Sequence, residues 1–485
     1  MIAGRRVPLL MYADDMVMLA SSQLELARMN AVASEFARKH RFQFNGEKSA
    51  VMVFNASSAA RRRADATEWE LFGDAVEIKD SYVYLGTVTP ADGISWTAQV
   101  RTAIEKARTR STDLLWVCRA DRGIRPRTAV TLWQALVRPL LEYACEIWAG
   151  QTTATLTKEV EAVQTTFLRG VLGLHANGSG VADDTLRAEA GCERIQDRCW
   201  TKLTLGYWRR IFSAPDGRLL RVVAEARHAE HTRSGGAGFG SLGWMPSAKR
   251  VLMVAGLGSY WHDTAAVVDK TAEHWRDLTH TAVNAGSDAS RQARMTGMPS
   301  TQTYMHIKEW GENTAPYSLS SGEVGRLGQH VPERYLDDRA CLKGTRLKLL
   351  CRLNCLPLMD RVGREAKPKW TKASRVCFEC GGGVVEDVHH FLMVCPSYAA
   401  KRAVLLQRVE RIMRNPNAPD FNAMDPKGQG RILLGRRFGN PDAENSIDRL
   451  VKRFLTKAWN LRAGLTVHIN TVMGTAYDVF TTRAK

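Results

Sequence analysis

The sequence predicts an α+β chain of several domains, and three observations carry that prediction. The first ninety or so residues alternate short apolar runs with turn residues, the pattern of strands and hairpins. From Trp96 onward, long stretches without Gly or Pro repeat apolar residues at helical spacing. A length of 485 residues exceeds what one hydrophobic core supports, so two to four domains are expected.

The first element is "VPLLMYADDMVMLA", Val7 to Ala20, in which Asp14 and Asp15 separate two apolar runs too short for helices. It predicts two strands joined by a tight turn with both carboxylates at the tip. Adjacent carboxylates repel, so the tip is either a solvated turn or a site that takes a divalent cation. Leu24, Leu26, Ala27, Ala31, Ala33, Phe36 and Ala37 then recur as on a helix that Ser21 or Ser22 can cap. "FQFNGEKSAVMVFN" supplies an Asn-Gly turn followed by a strand from Ala50 to Phe54, and "SYVYLGTVT" is a further β-rich run. Between them "ASSAARRRADA" has loop composition, with Arg61, Arg62 and Arg63 exposed.

"WTAQVRTAIEKARTRSTDLLWVCRA" predicts a long helix with Val100, Ile104, Ala107, Leu114, Leu115 and Cys118 on its apolar stripe. Arg101, Lys106, Arg108, Arg110 and Arg119 fall largely off that stripe, as on a solvated face or a surface that tracks phosphates. A second helix from about Arg127 to Tyr143 contains Pro139, which should kink or split it. A third covers "ATLTKEVEAVQTTFLRGVLG". Residues 175–335 are less legible, with helical stretches around Asp197 to Phe212 and Leu219 to His228 and a Gly-rich flexible loop at 233–243. "DRACLKGTRLKLLCRLN" is helical to about Asn354 and breaks at Pro357, and "RLVKRFLTKAWNLRAG" predicts an amphipathic basic helix.

Lys and Arg number 68 against 50 Asp and Glu, a net charge of +18 that favours a polyanionic partner, nucleic acid first. The start is interrupted by two aspartates and does not read as a convincing signal peptide, and "VLMVAGLGSYWHDTAAVV", with its His, Asp and two glycines, falls short of a spanning segment. No membrane or defined protein partner is indicated. Ten cysteines without a small-scaffold framework suggest a reducing, intracellular compartment, nucleus or cytoplasm.

The most specific pattern is "CFECGGGVVEDVHHFLMVC": Cys377 and Cys380 spaced C-x2-C, then His390 and Cys395. Three thiolates and one imidazole form a closed tetrahedral shell that suits structural zinc, with glycines that permit a tight reversal after the first pair. His389 can replace His390 in this pattern. Seven other cysteines, Cys351 and Cys355 among them, are packing residues.

In their order, "YADDMVMLA", "FNGEKSAVMVF", "YVYLG", "VRPLLEYACEIW" and "LCRLNCLPLMDRVGR…CFECGGGVVEDVHHFLMVC" resemble the reverse transcriptases of non-LTR (LINE-like) retrotransposons, from the last part of the palm to the C-terminal zinc knuckle. The resemblance covers most of residues 7 to 160 and 335 to 403. It implies a partial palm at 1–95, a helical thumb at 96–175, a connecting region at 176–335, a CCHC zinc-knuckle region at 336–403 and a basic tail at 404–485. It implies phosphoryl transfer with two Mg²⁺ ions, Asp14 as ligand and Asp15 as weaker ligand or supporting charge. Lys48 would meet pyrophosphate or be an exposed turn lysine, and Tyr84, Leu85 and Gly86 would position the primer. Arg101, Lys106, Arg108 and Arg110 would hold the backbone of RNA, DNA or an RNA–DNA hybrid. The family also requires an aspartate on an earlier strand, and no acid lies among Met1 to Leu10, while Asp65, Asp74 and Asp80 lie where the family has no ligand. The expectation is an incomplete Mg²⁺ site and no polymerisation by this chain alone. "APDFNAMD" near Asp420 only faintly suggests a nuclease element, and no nuclease activity is expected.

Overall fold

A computed structural model describes residues 7–54, 57–92, 95–118, 124–174, 181–233, 243–298, 301–308, 333–337, 341–366, 368–414 and 418–462. The Gly-rich stretch expected to be flexible lies almost wholly outside the described residues. The molecule is mostly helical, 66%, with a few small strands, compatible with the α+β class. It divides into two compact units, each assembled from three stretches. The first comprises Met1–Thr109, Val137–Val163 and Ile195–Gly286, the second Arg110–Leu136, Gln164–Arg194 and Ser287–Lys485.

In the first unit, Leu9–Tyr12 pairs antiparallel with Asp15–Met18, so the Asp14 hairpin forms with Tyr12 opposite Asp15. Ser22 caps the helix Gln23–His40 by accepting from the Glu25 amide, and the Glu25 carboxylate accepts from the Ser21 amide at 2.8 Å. The expected strand Ala50 to Phe54 is only Ala50–Val51, which pairs in parallel with Glu77–Ile78. The predicted loop "ASSAARRRADA" contains a helix, Ser58–Asp65. Ser57 caps it and Arg61 pairs with Asp65 one turn on at 2.9 Å, which a reading of composition alone overlooks. The run "SYVYLGTVT" is a hairpin, Ser81–Tyr84 against Thr87–Pro90. Leu85 and Gly86 both have positive φ, as the two-residue turn matched to strand twist requires. These ladders and Glu70–Leu71 with Asp74–Ala75 remain separate two-stranded pairs among the described residues. A small core of Val51, Trp69, Leu71 and Val76 lies beneath them.

The helix Thr97–Cys118 buries Val100, Ala103, Ile104, Ala107 and Cys118, close to the predicted stripe. Pro139 separates Pro126–Leu136 from Arg138–Glu142 as expected, because it cannot supply the amide that a continuous helix needs. The described part of the poorly legible middle is mainly helical. In the first unit Trp208 packs against Trp261 and Trp244 at centroid distances of 5.3 and 6.0 Å, and the Trp275 indole donates to the Leu205 carbonyl at 2.9 Å.

The second unit has the larger core. Leu342–Arg352 lies against Pro441–Leu461, so the stretches read as zinc-knuckle region and basic tail share one apolar interior. The two helices approach so closely at Gly344 that an added Cβ would stand 2.5 Å from the Lys452 carbonyl oxygen. The basic tail helix is not simply a solvated amphipath: Lys452 is fully buried and its Nζ reaches Asp448 at 2.6 Å and the Tyr335 carbonyl at 2.7 Å.

A second buried ion pair organises the same core. Glu189, on the helix Asp183–Ala190, accepts from Arg352 Nε at 2.6 Å and Nη2 at 3.1 Å, from the Tyr304 hydroxyl at 2.8 Å, and from the Tyr335 hydroxyl. Arg352 Nη1 also donates to the Leu434 carbonyl at 2.6 Å. Burial alone would raise the Glu189 carboxyl, but Arg352 and the hydroxyl donors outweigh it and hold the group below its ordinary value.

Candidate metal centre

The short sequence Cys377–Cys395 is shaped by backbone constraints before any ligand is considered. Val376 bridges Val385, the Cys377 amide donates to the Val384 carbonyl at 2.8 Å, and Gly381 and Gly383 adopt positive φ in the reversal between. The chain then enters a π-helical turn, His390–Val394, whose first amide donates to Asp387 at 2.7 Å. The Cys395 amide returns to the His390 carbonyl at 2.7 Å. Reversal and turn place Cys377, Cys380, His390 and Cys395 with their ligand atoms all within 4.8 Å of one another.

The separations test whether an ion fits. Four ligands around tetrahedral zinc, with bonds of about 2.3 Å to sulfur and about 2.0 Å to nitrogen, stand about 3.8 Å apart for two sulfurs and about 3.5 Å for sulfur and nitrogen. Cys377 and Cys395 sulfurs are 3.9 Å apart, and Cys380 Sγ lies 3.5 Å from His390 Nε2. Burial pushes the Cys377 and Cys395 thiols up and the His390 imidazole down, so the histidine is held neutral as a ligand must be, while the thiols require a cation to ionise. The cluster could hold a metal ion, and its donor set is compatible with zinc. His390 rather than His389 completes the group.

Surrounding residues that the sequence reading did not single out complete the site. Glu386 Oε1 lies 3.6 Å from Cys377 Sγ, and the same carboxylate takes both Arg462 Nη2 at 2.6 Å and the Met359 amide at 3.0 Å. Arg402 donates to the Cys395 carbonyl at 3.0 Å. On a divalent ion three thiolates would leave one net negative charge, and the guanidinium groups of Arg402 and Arg462 stand on the Cys395 carbonyl and the Glu386 carboxylate beside it. The only sequence signal for Glu386 was an acid set between Val384, Val385 and Val388, a pattern that surface strands share.

The other predicted residues are dispersed. Asp14 and Asp15 are exposed, and among the described residues neither belongs to a group of three His, Cys, Asp or Glu side chains close enough to share an ion. The expected Mg²⁺ is therefore unsupported. Lys48 ends a short 3₁₀ turn capped by Asn45, with its side chain exposed and its carbonyl accepting from the Tyr82 hydroxyl. Tyr84, Leu85 and Gly86 form the hairpin bend, where the Leu85 carbonyl accepts from the Tyr143 hydroxyl at 2.6 Å. Arg101, Lys106, Arg108 and Arg110 are all exposed on Thr97–Cys118, and Arg108 reaches Glu159 at 3.9 Å.

Comparison with protein-family models, curated proteins and solved structures finds no match. Among the described residues no helix is long and apolar enough to cross a membrane.

Proposed function

We propose that this chain is a zinc-organised nucleic-acid-binding polypeptide of the non-LTR reverse transcriptase lineage, which holds RNA, DNA or an RNA–DNA hybrid and does not by itself synthesise DNA. The observation that carries the reading is the Cys377, Cys380, His390 and Cys395 cluster, whose ligand atoms lie within 4.8 Å of one another and whose Cys377–Cys395 and Cys380–His390 separations are compatible with a four-ligand zinc shell. A filled shell leaves no position for water, so this zinc organises structure. Arg101, Lys106, Arg108 and Arg110 supply an exposed basic surface for phosphates, consistent with the net charge of +18. Two-metal transfer needs carboxylates that converge, and Asp14 and Asp15 belong to no such group among the described residues.

The test has two parts. Elemental analysis of the full chain should find about one zinc per molecule, lost in the Cys377→Ser, Cys380→Ser double variant. Four contacts to a single strand give a salt slope of about −3, so RNA affinity should fall roughly 50-fold between about 50 and about 200 mM salt. Metal-free protein, or RNA affinity indifferent to salt, would overturn the reading. So would dNTP incorporation that Asp14→Ala abolishes.

A further inference from the structure

We propose that the end of the helix Gln23–His40 and the turn after it form a stacking platform for single-stranded nucleic acid, on which Phe36, His40 and Phe42 receive base faces and Lys39 and Arg41 receive phosphates. The proposal rests on the nucleic-acid reading above and gives it a strand class and a surface that the reading does not contain. All of these residues belong to the first unit.

The sequence "FARKHRFQF", Phe36 to Phe44, interleaves rings with cations and contains no carboxylate. Helical spacing sets His40 one turn beyond Phe36, and the two ring centroids stand 4.2 Å apart. The helix ends at Arg41, whose positive φ of 55° turns the chain so that the Phe42 amide donates back to the Ala37 carbonyl at 3.1 Å. That reversal returns Phe42 to Phe36 in an edge contact at 6.0 Å, and Phe44 meets Phe42 in another at 5.3 Å. The rings therefore hold one another in place. Phe36 is nevertheless 55% exposed and Phe42 40%, which leaves aromatic surface in water.

Charge decides what covers that surface. Lys39 and Arg41 are exposed, and among the described residues neither has a carboxylate partner, while Arg38 lies over the Phe72 ring at 5.7 Å. Cations in a last turn complement the helix dipole, but that role needs no exposed rings, and Arg41 lies past the helix. A protein partner would bring lysine into an apolar contact, which interfaces disfavour, whereas a nucleic-acid strand offers a π face and a phosphate at every step. Paired bases keep their faces inside the duplex stack, so the strand that fits is single.

Fluorescence anisotropy of the full chain with a mixed-sequence single-stranded RNA of about twelve nucleotides tests this, against an abasic strand of the same length and against the duplex. Phe36→Leu and Phe42→Leu keep an apolar side chain but lose the π face, and each should weaken single-strand binding at least about fivefold with helical circular dichroism unchanged. Phe36→Trp should bind at least as tightly as the parent, a split between Leu and Trp that a merely structural role would not produce. The ring variants should leave the salt slope unchanged, whereas Lys39→Gln with Arg41→Asn should reduce it by about 1.4, Asn being chosen because it tolerates the left-handed backbone at this position. An abasic strand bound as tightly as the RNA, or Leu variants that bind like the parent, overturns the platform. If salt-sensitive RNA binding survives in those variants at parental strength, only the platform fails and the broader reading stands; if the parent binds no RNA, both fail. Leu variants that change self-association in sedimentation but not RNA affinity would make this face a protein contact and overturn the proposal.

Discussion

Replacing Arg352 by Ala should be among the most damaging single changes in the second unit. The guanidinium makes two hydrogen bonds to Glu189 and one to the Leu434 carbonyl, and both charged groups are essentially inaccessible to water. Removing one partner of such a pair leaves a buried carboxylate without its cation, which costs about 3–5 kcal/mol. Tyr304 and Tyr335 still donate to Glu189, which places the expectation toward the lower end of that range. Set against a typical domain stability of about 5–15 kcal/mol, the variant should be folded but much easier to open. The discriminating partner is Glu189→Leu with Arg352→Met, which removes both charges and should recover about half of the loss. Peptide-resolved hydrogen exchange across Leu342–Arg352, together with urea unfolding, measures both. A loss below about 1 kcal/mol in Arg352→Ala, or a double variant as weak as the sum of its singles, would refute the assignment of a buried, mutually dependent pair.

Acid should weaken the second unit through Glu189 and Asp184. Both carboxyls are held below their ordinary values of 4.5 and 3.8, so the stability they contribute is complete above those values and is lost as pH falls through the lower folded ones. The urea midpoint should drop as pH falls below about 4.5, and a midpoint that stays flat on further acidification would contradict the linkage. Gly344→Ala should cost about 1–3 kcal/mol, because its Cβ would stand 2.5 Å from a backbone oxygen of the facing helix and 2.7 Å from Cys341 Sγ. A thermal melt that matches the parent would show that the helices separate without cost.

What could be read from the sequence depended on how local each signal is. The helix Thr97–Cys118 and the division at Pro139 rest on periodicity and on one missing amide, both of which survive any tertiary context. The candidate metal ligands were legible because the spacing of Cys377, Cys380, His390 and Cys395 is itself a geometric statement. Strand extents were not: Met52 to Phe54 have strand composition, yet the neighbouring segment pairs only with Ala50–Val51. The Leu85–Gly86 bend was hidden inside a β-rich run because leucine rarely marks a turn. Helix Ala272–Thr296, the longest described, went unseen because its alanines, threonines and charges dilute the apolar stripe. Buried charges such as Glu189, Arg352 and Lys452 were beyond reach, since their partners are more than a hundred residues away or, for Asp448, concealed in a helix that looks solvated.

The interleaving of the two units has a consequence for biosynthesis. The polypeptide passes from one unit to the other after Thr109, Leu136, Val163, Arg194 and Gly286. All stretches of the first unit have been synthesised once Gly286 has been added, whereas the second cannot close its interior until Val451, Leu455 and Trp459 emerge. Such long-range closure slows folding and prolongs exposure of sticky surface. Nascent chains stalled shortly before Pro441 should therefore recruit chaperones that the released protein no longer needs.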